Sequence, residues 1–343
     1  MRKLLNTLYV TSQGSYLSKE GETVVVERER QKVLQLPVHT IGDIVCFGNV
    51  LCSPFLLGFC AERGISISFM TEYGRFLAAV RGPVSGNVLL RRQQYRMADD
   101  AQETGAIAAN VVRGKLANCR VVLNRTVRDH SAKVDANSLK EVSENIGKII
   151  ERIPWMSSTD EVRGLEGQAA AEYFRVFDHL IVDQKQDFVF TDRNRRPPLD
   201  EVNALLSFVY SLLAHDVRSA LETVGLDPAV GFLHRDRPGR SGLALDIMEE
   251  FRPVIADRLV LSLINRRQVG KKGFTKATSG AVTMDEACRK TVLAKYHGRK
   301  QDKVFHPYIE ESVPIGLLFF IQTNLMARYV RGDIDGYPPF FWR

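Results

Sequence analysis

Two rhythms of hydrophobic and polar positions divide the chain. Over the first eighty or so residues the apolar positions fall in short β-rich runs at Thr7–Ser12, Tyr16–Ser18, Thr23–Glu27, Val33–Pro37 and Asp43–Phe47. Gln13-Gly14 and Glu20-Gly21-Glu22 are turn signals between these runs. Cys52–Arg63 reads as one short helix, followed by strands at Ile65–Met70 and Phe76–Arg81. A meander with one helix predicts a small β-sandwich or split sheet. Gly82-Pro83-Val84-Ser85-Gly86 then breaks the pattern as a linker. Beyond it the spacing is helical almost throughout, near 88–104, 106–130, 137–152, 160–181, 200–224, 244–265 and 312–331. Gln184–Asp192 reads as a short strand, and Lys271–Thr278, basic and containing glycine, as a mobile loop. Asp200, after Pro197-Pro198, is an expected N-cap. The expected class is α+β: a small β-sandwich-like domain over 1–82, a linker at 83–87, and a larger all-α domain over 88–343 that carries the chemistry.

One helical segment contains a misplaced charge. Val162, Leu165, Ala169, Ala170, Tyr173 and Phe177 follow the spacing of a buried helix face, and Glu166 falls inside that stripe. A buried carboxylate without a partner is costly and shifts its pKa until it loses its charge. Glu166 therefore needs a cation, a hydrogen-bond network or a metal.

Composition narrows the setting only a little. The 343 residues suffice for two domains with a substantial core, and 45% hydrophobic with 25% charged residues is ordinary for a globular chain. A net charge of +7 mildly favours an anionic partner. Five widely spaced cysteines without a CxxC pair argue against a disulfide framework and against zinc. The amino-terminal stretch turns polar too soon for a signal peptide, and the longest apolar candidate, Val313–Ile321, is too short to cross a bilayer. The expected setting is the reducing cytoplasm, with no membrane partner.

Candidate partners for Glu166 lie farther along the chain. In Leu243–Leu263, Ile247, Phe251, Val254, Ile255 and Leu259 occupy one side, and Asp246, Glu249, Glu250 and Asp257 the other. Asp246 and Glu249, three apart, project from one turn, either as part of a solvated acidic face or as ligands of a divalent cation. His234 ends the apolar run Ala229–Leu233. The loop after it carries Arg235, Arg237 and Arg240 among Pro238, Gly239 and Gly242, which puts guanidiniums and backbone N–H groups within reach of phosphates. Carboxylates with one imidazole suit Mg²⁺ or Mn²⁺ better than zinc, so metal-assisted phosphodiester chemistry is the sharpest reading.

Three runs in one order then carry a resemblance: RGLEGQAAAEYF from Arg163, RNRRPPLDEVNALLSFVYSLL from Arg193, and GFLH from Gly231 followed by LALDIMEEFRPVIAD from Leu243. Together they resemble the CRISPR adaptation integrase, the endonuclease and integrase subunit of spacer acquisition, with a flavour closest to the subtype I-C branch. The resemblance implies a β-domain followed by a helical domain, and a catalytic, metal-binding triad at Glu166, His234 and Glu249. Many relatives have Asp at the third position, so the extra methylene of Glu249 leaves coordination distance and metal preference open. Asp246 matches an additional acidic position, as a ligand or as support for one. Asn203 matches a recurrent asparagine that is either structural or DNA-facing. Arg163 and Arg252 bind phosphate or pair with a neighbouring acid.

The implied reaction is transesterification, in which the 3′-hydroxyl of a short duplex attacks a phosphodiester of a CRISPR array. Nicking of branched DNA would use the same centre. The implied partners are double-stranded and branched DNA, a second copy bound through the β-domain, and a small second adaptation protein completing a heterohexamer. Arg91-Arg92, Arg195-Arg196 and Lys271-Lys272 are candidate backbone contacts. The rival readings are a stand-alone metal-dependent, structure-specific nuclease and a non-catalytic DNA-binding scaffold. Near the carboxyl end Arg289–Lys303 is basic, and the aromatic tail Tyr337–Trp342 is expected to pack intramolecularly or against the small partner rather than stack on bases.

Overall fold

The structure is a computed structural model that describes residues 5–80, 82, 87–153 and 158–342. It forms two compact units, Met1–Gly86 and Asn87–Arg343. Of the linker expected at 83–87, only Asn87 lies among the described residues.

The first unit contains two four-stranded sheets. In one, β1 (Asn6–Val10), β5 (Ile41–Phe47), β7 (Ser66–Met70) and β8 (Phe76–Val80) lie in that order. In the other the order is β4 (Gln31–Pro37), β3 (Thr23–Arg28), β2 (Ser15–Glu20) and β6 (Val50–Cys52). Leu17, Val24 and Val26 from one sheet share a single apolar cluster with Val10, Ile44 and Ile67 from the other. The helix α1 (Pro54–Glu62) closes that cluster with Leu56, Phe59 and Cys60.

Only part of this unit is the meander that the turn signals indicated. The antiparallel run β2–β3–β4 is local, but β1 pairs parallel with β5, β5 with β7, and β2 with β6. Parallel partners come from distant sequence and leave no short-range mark. Cys52 belongs to β6 rather than to α1, because Ser53 caps the helix by accepting from Leu56 N–H, with Pro54 next.

The second unit is mainly helical: α2 (Val88–Asp99), α3 (Ala101–His130), α4 (Ala136–Glu151), α5 (Thr159–Arg175), α6 (Glu201–Val224), α7 (Gly242–Glu249), α8 (Arg258–Asn265), α9 (Glu286–Gln301) and α10 (Ile315–Arg331). Two small hairpins interrupt the helices, β9 (Phe274–Lys276) with β10 (Val282–Met284) and β11 (Lys303–His306) with β12 (Glu311–Pro314). The second unit is thus not wholly helical, and Lys271–Thr278 is partly strand rather than loop.

Gln184–Asp192 is not a strand. Turns and side chains rather than a ladder serve its backbone: Asp187 and Phe188 N–H donate to the Gln184 carbonyl, Asp178 accepts from Phe190 N–H, and the Gln184 side chain ties the segment to the carbonyls of Ile264 and Val269. The helix expected over 243–263 is broken into α7, a π-helical turn at Arg252–Asp257, and α8. Pro253 supplies the cause, since it lacks an N–H and its ring clashes with the preceding turn. No helix among the described residues is long and apolar enough to cross a membrane. All five cysteines are free thiols.

Candidate active site

Four elements of the second unit converge on one polar centre. The α5 helix begins at a reciprocal capping box between Ser158 and Glu161, which fixes the first turn and with it Glu166 two turns on. Asp200 caps α6 by accepting from Asn203 N–H, and Gly225, at φ +89°, ends it. The α3 helix packs against α5, α7 and the π-helical turn.

The segment before α7 is built around Asp246. This fully buried carboxylate accepts backbone N–H groups from Phe232 at 2.6 Å, Leu233 at 2.9 Å and His234 at 3.0 Å. It also lies 2.7 Å from Nδ1 of His234. Such proximity requires glycine at two places: a Cβ on Gly231 would sit 2.6 Å from the Gly242 carbonyl carbon and 2.8 Å from Asp246 Oδ2, and a Cβ on Gly242 would meet the Ala229 oxygen at 2.7 Å. With Nδ1 committed to Asp246, Nε2 is the nitrogen of His234 left to act as a ligand.

Glu166 and Glu249 meet at a lysine. Lys115, on α3, is 7% exposed and paired with Glu166, and its Nζ lies 2.8 Å from Glu249 Oε2. The other oxygen of Glu249 lies 2.7 Å from Arg252. Burial alone would depress the lysine, but Glu249 and then Glu166 hold its pKa above the ordinary value. Burial would likewise raise Glu249, yet Arg252, Lys115 and His234 outweigh it and keep the carboxyl low. Two carboxylates are thus neutralised by two cations. Asp246, Glu249, Glu250 and Asp257 are all buried, so the acidic side of this segment is not a solvated face.

The candidate DNA contacts separate into two groups. Arg163 donates through Nε to the Leu233 carbonyl and pairs with Asp160, which Arg235 also reaches. Arg235 and Arg237 are exposed and Arg240 is half-buried. Partial burial lowers the Arg240 pKa, and Arg237, Arg195 and Arg163 lower it further, which marks a shared positive field. A cavity of about 380 Å³ opens beside His234, Arg163, Arg235 and Tyr95.

Asn203 and Arg252 face inward instead. Asn203 is fully buried, accepting from Arg193 and Asn194 and donating to Asp192 and Asp200, so it holds a loop and touches no DNA-facing surface. Arg252 pairs with Glu249 and lies 4.8 Å from the centre of the Tyr210 ring.

Several residues of the site escaped the reading of motifs. Lys115 interrupts the buried α3 stripe of Val111, Val112, Leu116 and Cys119, the same kind of misplaced charge that Glu166 is in α5. Asp257 accepts from Tyr173 and Tyr210, and burial pushes its carboxyl up to about 6 against those hydrogen bonds. Glu250, raised to about 8 by burial, accepts from Gln322, Tyr337 and Phe340 N–H. Asn118, one turn past Lys115, donates to the carbonyls of Glu250 and Phe340 and accepts from Trp342 N–H. The aromatic tail therefore packs intramolecularly, directly behind the acidic segment. Gly114 makes room for it, because a Cβ there would lie 2.9 Å from Pro339.

No group of three His, Cys, Asp or Glu side chains among the described residues stands close enough to hold a metal as placed. The donor set nevertheless fits one. Two carboxylates already converge on a single positive group, the Lys115 ammonium, and a tautomer-locked imidazole lies near enough to Glu249 to lower its carboxyl.

Comparison with known proteins agrees with these motifs. Residues 8–298 match the family described as CRISPR associated protein Cas1. A relative from Chlorobaculum tepidum named CRISPR-associated endonuclease Cas1 is 54% identical over 343 residues, covering all of both chains. The solved structure of a Cas1 protein from Thermotoga maritima aligns with TM-score 0.80 and 26% identity over 96% of this chain and 97% of that one. A casposase bound to an integration product shares the fold, with TM-score 0.85 and 21% identity over 99% of this chain and 95% of that one. With the family match spanning most of its length and that relative aligning end to end, the chain belongs to the CRISPR-associated Cas1 family.

Proposed function

We propose that this protein is a metal-dependent DNA endonuclease and integrase of CRISPR spacer acquisition, joining 3′-hydroxyl ends of short duplexes to a CRISPR array by transesterification. The observation that carries the reading is the convergence of Glu166 and Glu249 on one positive charge, beside a histidine whose ring is fixed by Asp246. Glu166, His234 and Glu249 would hold Mg²⁺ or Mn²⁺. When bound, such a cation supplies charge stabilisation at a scissile phosphate and lowers the pKa of an attacking oxygen.

The chain's own residues supply position. Asp246 holds the imidazole with Nε2 available, through one side-chain and three backbone contacts. Arg252 fixes one oxygen of Glu249, and the other, which faces the Lys115 ammonium at 2.8 Å, is the one that would face the cation. Arg163, Arg235, Arg237 and Arg240 would grip DNA phosphates around the cavity next to His234. The β-domain carries exposed apolar side chains, among them Phe55 at 84% and Leu51 at 63%, which suit pairing with a second copy. Two such dimers would flank a small second adaptation protein in a heterohexamer.

The test incubates purified protein with a duplex bearing free 3′-hydroxyls and a supercoiled array plasmid, with and without the small partner. Joined products that vanish with EDTA or with Glu166→Ala support integration. Hydrolysed fragments alone favour a stand-alone nuclease, and activity unchanged by both treatments refutes metal chemistry at this centre.

A further inference from the structure

The α3 helix contributes one charged side chain to the candidate site, and no motif accounts for it. Lys115 is buried among Val111, Val112, Leu116 and Cys119, which is costly for an ammonium unless it is paired. Its Nζ reaches both carboxylates of the proposed ligand set, pairing with Glu166 and lying 2.8 Å from Glu249 Oε2. Because Arg252 holds the other oxygen of Glu249, a cation held by Glu166 and Glu249 would compete with Lys115 for Glu249 Oε2.

Charge balance sharpens the conflict. Lys115 and Arg252 already neutralise Glu166 and Glu249. Adding a dication while both remain in place would leave two net positive charges in a buried space. Arg252 is anchored over the Tyr210 ring and contacts the opposite oxygen of Glu249, so it can stay. Lys115 has a flexible four-carbon stem, and its partner Glu166 keeps 26% of its side chain exposed, which gives the ammonium an open flank to move along.

Resting on the proposed metal site, we infer that Lys115 is a built-in counter-cation that holds the two carboxylates together in the unloaded protein and must be displaced when a divalent metal binds. The lysine thereby sets metal affinity by competition. It keeps mutually repelling acids folded without metal, at the expense of weaker loading.

The test measures Mn²⁺ affinity by EPR titration of free ion in wild type, Lys115→Met and Lys115→Arg, with unfolding temperature recorded with and without Mn²⁺. Lys115→Met is expected to lower the Mn²⁺ Kd by roughly tenfold or more, within the usual roughly 5–150-fold range of coupling between two binding events. Its melting temperature without metal should fall, and its stabilisation by Mn²⁺ should exceed that of wild type. Lys115→Arg, which keeps the charge, should not tighten binding. An unchanged or weaker Mn²⁺ affinity in folded Lys115→Met overturns the competition while leaving the metal site intact. Wild type that fails to bind Mn²⁺ overturns both. Should Lys115→Met not fold, a crystal structure of Mn²⁺-loaded wild type decides: Nζ withdrawn from both carboxylates supports displacement, and Nζ still within hydrogen-bond distance of both refutes it.

Discussion

Replacing Asp246 by alanine should be among the most damaging single changes in the second unit, although the Glu166, His234 and Glu249 side chains all stay in place. Asp246 is fully buried and accepts three consecutive backbone N–H groups besides facing Nδ1 of His234. Each buried donor left without an acceptor costs ~1–3 kcal/mol. Three orphaned donors, discounted because water can enter the space of the lost carboxylate, give about 3–6 kcal/mol. That is a large share of the ~5–15 kcal/mol that stabilises a typical domain. Urea unfolding followed by circular dichroism measures it as a fall in midpoint at an unchanged slope. Asp246→Asn keeps one acceptor oxygen and should lie between wild type and Asp246→Ala. A loss below about 1 kcal/mol for Asp246→Ala would refute the view that this carboxylate organises the loop carrying His234.

Three further outcomes follow from other parts of the unit. Asp257 keeps its proton in the fold up to about pH 6 against an ordinary 3.8, so its contribution is fully present below about 3.8 and is lost as pH rises through about 6. The stability of Asp257→Asn relative to wild type should therefore improve by about 2 kcal/mol between pH 4 and pH 7, and a difference that does not vary with pH contradicts this. Phe340 is fully buried against Phe251, and Phe340→Ala should cost about 3–5 kcal/mol in urea unfolding, whereas a tail serving only a partner would cost nothing. Arg235→Ala and Arg240→Ala should each weaken duplex binding at all sequences and reduce the slope of log K against log salt by about 1, measured by fluorescence anisotropy; unchanged slopes would remove these residues from the phosphate path.

The site was legible where the sequence carried a local contradiction. Glu166 stood out because an apolar stripe surrounds it, and Asp246, Glu249 and His234 stood out by residue type and short spacing. Lys115 offers the same contradiction inside α3, but that helix carries no motif to set it apart. For Asn203 the motif alone leaves a structural and a DNA-facing role open, and only the fold shows the four internal hydrogen bonds that bury it. The acidic side of 243–263 looked solvated because its partners Lys115, Tyr173, Tyr210, Gln322 and Tyr337 come from distant parts of the chain. The break at Pro253 was readable in principle, but strong apolar spacing on both sides of it suggested one helix. The α9 helix was hidden by its high charge, and the parallel strand pairs of the β-domain by their separation in sequence.

Pulsed EPR of Mn²⁺-loaded protein tests the central claim most directly, because it detects an imidazole nitrogen bound to the ion. The account predicts one histidine ¹⁴N coupling in wild type, its loss in His234→Gln, and weakened Mn²⁺ binding in Glu166→Gln and Glu249→Gln. Absence of that coupling in wild type, or its persistence in His234→Gln, would contradict a metal centre at Glu166, His234 and Glu249.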